Sequence, residues 1–164
     1  MHHLGRLTLA VTLGALLAAC NHPTTPGTST AASNAPAKPT ANASESTWGN
    51  YLAAHGKLHS NDARMRPYIY VIPAGDSAAS KTRRESEVDS AVHAIGPLVL
   101  PGGMLIVGGP DPKQTTAFLG DVAKQLKADA LKGIVVLVVS NVSEQAAVSS
   151  TLKTSGATVR FVSM

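Results

Sequence analysis

Asp76, Asp111 and Asn141 stand in three short polar stretches, AGDS (74–77), GGPD (108–111) and SN (140–141), each of which follows an apolar run. Two carboxylates and an amide at such turns could cradle a cation or a polar ligand. With a histidine beside them, they could also activate a water for hydrolysis. The same residue types are favoured helix caps, because a short side-chain oxygen accepts the unpaired N–H groups of a first turn. His55 and His59 form a second candidate pair, spaced i,i+4 on one face if their stretch is helical. A zinc site there would need further ligands, and Gly56 between them weakens a helix. The only cysteine is Cys20. No GxGxxG or GxxxxGK[ST] cradles a phosphate, and no serine stands in a GxSxG elbow. No catalytic residue, metal or cofactor is therefore assigned, and an enzyme is not the expectation.

The elements that would position these residues alternate from Tyr68 onward. YIYVIP (68–73) reads as a strand, followed by a helix with Val88, Ala91, Val92 and Ile95 inward and a stop at Gly96-Pro97. MLIVG (104–108) is a second strand. Asp111 caps the next helix with Pro112 at its first position. Leu119, Val122, Ala123, Leu126 and Ala130 form the buried stripe of that helix, and Gly133 ends it. IVVLVV (134–139) is apolar on both faces, as a strand covered on both sides must be. Asn141 with Glu144 suggests a capping pair for a last helix through Val148 and Leu152, ending at Gly156. TVRFV (158–162) alternates like an edge strand.

The expectation is an α/β fold: a small three-layer domain on a mainly parallel four-stranded sheet, β-α-β-α-β-α-β, with strand order 2-1-3-4. That order would place 68–73 and 134–139 in the centre. Candidate ligand residues would then lie at the carboxyl ends of the strands. A short extension before the domain, residues 47–66, would use Trp48, Tyr51 and Leu52 to pack on it as a short helix.

Charge narrows the partners. There are 14 Lys+Arg against 10 Asp+Glu, mostly interspersed, with one cluster at Lys81, Arg83 and Arg84 answered by Glu85 and Glu87. That is a solvated helix face, and the sparse aromatics offer no stacking platform, so nucleic acid is not an expected partner.

The first 20 residues, MHHLGRLTLAVTLGALLAAC, place Arg6 before an apolar run from Leu7 to Ala19. Thirteen residues are too few to span a bilayer as a helix, which takes about 20. They suit a cleaved export signal over residues 1–19. Leu17-Ala18-Ala19-Cys20 resembles the lipobox of bacterial lipoproteins at all four positions. The resemblance implies cleavage before Cys20, diacylglycerol on its thiol and an acyl group on the new amino terminus. Asn21, where the retention signal of that family places Asp, implies the outer membrane, facing the periplasm. Residues 20–46, rich in Pro, Thr, Ser, Ala and Asn, then read as a lipidated start and a disordered linker. The domain proper covers residues 67–164.

Helix, strand, GGPD, helix and strand over 86–139 also resemble the middle of peptidoglycan-binding OmpA-like domains. Asp111 would match the turn acid of that family. Gly109 and Pro110 replace its His and Thr, and the following helix, where that family carries an arginine, has Lys124 but no arginine. The expected roles, in order, are docking to an envelope protein, binding of peptidoglycan or a small polar ligand at Asp76, Asp111 and Asn141, and a hydrolase at the same place. The edge at 158–162 is the expected docking site, with Arg160→Pro as its probe.

Overall fold

The computed structural model describes residues 35–61 and 63–164. Cys20 and the segment 1–19 lie outside the described residues, as does the first half of the expected linker. The order of elements is α1 (Glu45–His59), β1 (Tyr68–Val71), α2 (Ala78–Ala94), β2 (Met104–Gly108), α3 (Pro112–Gln125), β3 (Val135–Ser140), α4 (Gln145–Thr151) and β4 (Thr158–Ser163). Short 3₁₀ turns flank α4 at Val142–Glu144 and Lys153–Ser155. The expected α/β class is correct, and the four strands are all parallel.

The strand order differs from the expected one: it is β1-β2-β3-β4, with β1 at an edge and β2 beside β3 in the centre. The apolar runs at 68–73 and 104–108 look equally suited to the interior. What separates them is cover, since all five residues of β2 are buried while Ile69 in β1 is 37% exposed. In this order, right-handed crossovers all deliver their helices to one face. Val88 and Ala91 of α2, Phe118, Leu119 and Val122 of α3, and Val148 of α4 accordingly share one core with Tyr70, Leu105, Val107, Val136 and Val138.

Among the described helices, only α1 covers the opposite face. Trp48, Tyr51 and Leu52 pack on Met104, Ile106, Val135, Leu137 and Val139 as a second core. Ser44 caps this helix by accepting the Thr47 N–H at 3.1 Å. Gly56 lets it lie close, since a Cβ there would overlap the Ile106 side chain. The helix crosses the sheet obliquely, from Gly49 against Val71 to His59, whose carbonyl accepts a 2.6 Å bond from Arg160 on β4. The expected linker therefore ends earlier than residue 46. Trp48 Nε1 donates to the Thr40 carbonyl at 3.2 Å, and Ala43 packs into the second core. Among the described residues, no helix is long and apolar enough to cross a membrane.

One helix is shorter than its periodicity suggests. α3 ends at Gln125, not near Ala130, because the following backbone bonds elsewhere. Asp129 N–H donates to Thr154 O and Leu131 N–H to Ser155 O, and Asp129 takes a φ of 59°.

If α1 is half of the core, Leu52→Ala, which empties a fully buried site, destabilises the protein by about 2–5 kcal/mol. Urea unfolding measures this, and a loss within about 0.5 kcal/mol would mean that α1 is a loose appendage.

Candidate functional site

Each candidate residue stands where the sequence suggested, at the carboxyl end of the sheet, but Asp111 and Asn141 each turn an oxygen to the backbone and Asp76 bonds a neighbouring side chain. Asp111 Oδ1 accepts the Lys113 N–H at 2.9 Å and the Gln114 N–H at 3.3 Å, capping α3. Asn141 Oδ1 accepts the Ser143 N–H at 3.1 Å and caps a 3₁₀ turn rather than α4 itself. Its expected partner Glu144 faces away and accepts from Thr116 Oγ1 at 2.7 Å. Asp76 is not a cap. Ser77 caps α2 by accepting the Ser80 N–H at 3.1 Å, while Asp76 Oδ1 accepts from Gln114 Nε2 at 3.4 Å.

The first turn of α3 is thus a hub. Gln114 reaches the β1–α2 loop, and Thr116 reaches the β3–α4 loop. Arg84 secures the first of these loops by donating to the carbonyls of Pro73 at 3.1 Å and Gly75 at 2.7 Å. Gly109 allows the loop after β2 to touch β1, since a Cβ there would overlap the Ile72 carbonyl. These loops meet each other instead of opening a cleft.

Topology explains why. Ligand crevices in open parallel sheets form where the strand order reverses and successive helices depart to opposite faces. The order β1-β2-β3-β4 has no such reversal. A cavity of about 230 Å³ does lie at this end, lined by Trp48, Val71, Ile72, Pro73, Ala74 and Pro110, with none of the three candidate residues. A larger groove of about 450 Å³ runs between α2 and α3 over Val88 and Phe118, with Lys81, Glu85, Asp121 and Lys124 on its rim.

Among the described residues, no histidine joins the acids. His93 is in the last turn of α2, about 22 Å along the helix axis from the end that carries Asp76. Its Nδ1 lies 2.7 Å from the Asp89 carbonyl. His55 and His59 do share a helix, with rings 6.4 Å apart and nearly parallel. Among the described residues, no further Cys, His, Asp or Glu completes a metal-binding group around them.

His55 is the unexpected residue. It is only 3% exposed, against the edge of Tyr51, and neither ring nitrogen has a hydrogen-bond partner. The signal was present in the sequence, because His55 extends the stripe of Trp48, Tyr51 and Leu52 by one helical turn. Burial first, and the charge on His59 second, push its pKa below the ordinary histidine value.

The other feature at which a partner could bind is the outer edge of β4. Thr158 N–H donates to Ile134 O and Met164 N–H to Ser140 O. In a parallel ladder, bonding to one neighbour falls on alternate residues. Residues 158, 160, 162 and 164 therefore serve β3, and Val159, Phe161 and Ser163 turn their backbone groups outward. Arg160→Pro is for this reason the wrong probe of the edge, since it would break the β3 ladder and the bond to His59. Ser163→Pro removes an outward donor and leaves both intact.

Compared with protein-family models, curated proteins and solved structures, the chain matches none.

Two outcomes follow from these contacts. Asp111→Ala lowers stability by about 1 kcal/mol in chemical denaturation, the usual loss for an N-cap; unchanged stability would show that the carboxylate is free for another task. For His55, the unfolded chain takes up a proton near pH 6.5 that the native state resists, so stability falls as pH drops below that value. His55→Leu should flatten this dependence in thermal unfolding between about pH 7.5 and pH 5. An unaltered slope would place the titration elsewhere.

Proposed function

We propose that this chain is a lipid-anchored protein of the bacterial envelope whose α/β domain is a non-enzymatic interaction module. The observation that carries the anchor is Leu17-Ala18-Ala19-Cys20 at the end of an export-type apolar run. An acylated Cys20 holds the protein on the membrane, because two or three acyl chains bind a bilayer almost permanently. Asn21 directs it to the outer membrane, on the periplasmic face.

The interaction role is supported by how the polar residues are used. Asp76, Asp111 and Asn141 are engaged in loops that bind one another, and the sheet has no reversal point to open a cleft. The open side of β4 offers backbone donors and acceptors to an extended strand of an envelope protein, the mode of strand addition.

Gentle solubilisation of membranes followed by co-purification tests both halves. Wild type should recover a stoichiometric protein partner. Cys20→Ser should leave the membrane fraction, and Ser163→Pro should stay there but lose the partner. A Cys20→Ser protein that remains in the membrane pellet would contradict the anchor. A Ser163→Pro protein that keeps its partner would contradict the docking edge. Recovery with cell-wall fragments alone would favour peptidoglycan binding around Asp111.

A further inference from the structure

Large apolar side chains are exposed at few places among the described residues, and three of them gather at the amino end of the sheet. Leu98 is 53% exposed, Leu100 45% and Met65 37%. The loop Gly96–Pro101 that carries the leucines is fixed from both sides. Gly96 N–H donates to Val99 O and Gly103 N–H to Leu100 O, which holds the loop as a tight turn. Arg64 N–H donates to Gly102 O at 3.0 Å, bringing Met65 alongside. Gly102 N–H donates to Gly133 O at 2.7 Å, which brings Lys132 to the other flank.

The exposed leucines are therefore bracketed by bases: Arg64 and Arg66 on one side, Lys132 on the other, all exposed. The salt bridges among the described residues all lie elsewhere, on Arg83 and Lys124. Of the acids close in sequence, Asp62 lies outside the described residues, and Asp129 sits against Gly156, toward β4. The acids of the opposite end, Asp76, Asp111 and Glu144, are all at carboxyl-end loops. The domain thus has one pole that is basic and apolar together.

We infer that this amino-end surface, Arg64, Met65, Arg66, Leu98, Leu100 and Lys132, rests on an anionic lipid bilayer. Leucines that insert into the headgroup region with bases around them are the pattern of a peripheral membrane contact. A purely polyanionic partner would have no use for the leucines, and an apolar protein partner none for the bases. The choice of a bilayer rests on the anchored reading above, and chain length permits it. Cys20 and Ala35 are 15 residues apart, which can extend to about 50 Å. α1 is only about 22 Å long, so a chain joining the domain near α1's start can still lay the far end on the membrane.

The test uses the full chain in a Cys20→Ser background, so it does not depend on acylation. An environment-sensitive dye is placed on Leu100→Cys and, separately, on Asp76→Cys at the opposite pole. Vesicles of phosphatidylglycerol with phosphatidylcholine should shift the Leu100 dye to shorter wavelength and leave the Asp76 dye unchanged. Vesicles of phosphatidylcholine alone should bind about tenfold more weakly by the same signal, as should Arg64→Glu with Arg66→Glu and Lys132→Glu, and added salt should weaken the contact. Equal shifts on both vesicle types, or at both dye positions, would overturn the proposal, since binding would then not belong to this surface. No shift on either vesicle would also overturn it. Failure of the anchor is read separately, by acyl labelling of Cys20 in the wild type.

Discussion

The packing of α1 against the bare face of the sheet is the constraint from which the rest follows. β2 and β3 are buried on both faces, so their outward residues need cover on both sides. The crossover helices occupy one side only, as consecutive right-handed connections dictate. Met104, Ile106, Leu137 and Val139 would otherwise form a large apolar surface open to water, and one oblique helix closes it. The close approach at Gly56, and the small span of a four-strand sheet, make a single helix sufficient. The ion pair of Arg83 with Glu45, at 2.7 Å, joins α1 to α2 around the edge of β1. Being about half exposed, it contributes little beside the apolar contacts.

A strand order without reversal also decides what the carboxyl end of the sheet can do. Loops that leave on the same side pack against each other, and the polar residues there satisfy one another and the helix starts. Asp111 therefore caps α3, while Gln114 and Thr116 act as structural joints to the neighbouring loops. The two contacts proposed above lie at the margins of the domain: the outer side of β4 and the basic, leucine-bearing amino end.

Much of this was legible in the sequence, and the errors have physical causes. IVVLVV announced a strand covered on both faces, and TVRFV announced an edge, because burial imposes those patterns directly. The stripe of Trp48, Tyr51 and Leu52 announced a packed helix, although nothing local said that it would supply a whole layer. Strand order was not legible, since YIYVIP and MLIVG are equally apolar and only the side taken by α2 separates them. The stripe of α3 ran on to Leu126 and Ala130 in the sequence. Long-range bonds from Asp129 and Leu131 to the Thr154–Ser155 turn stopped it, and no window of local periodicity contains them. Asp111 and Asn141 were legible as caps and as ligands alike, and only their hydrogen bonds distinguish the two.

Native-state amide hydrogen exchange tests the central claim, that α1 and the sheet are one cooperative unit. The amides of Leu105–Val107 and Val136–Val139 should be the slowest to exchange. Those of Leu52–Gly56 should open with nearly the same free energy, through global unfolding. If the α1 amides exchange by a separate opening of far lower free energy while the central strands stay protected, the sheet does not depend on α1 and the account is wrong.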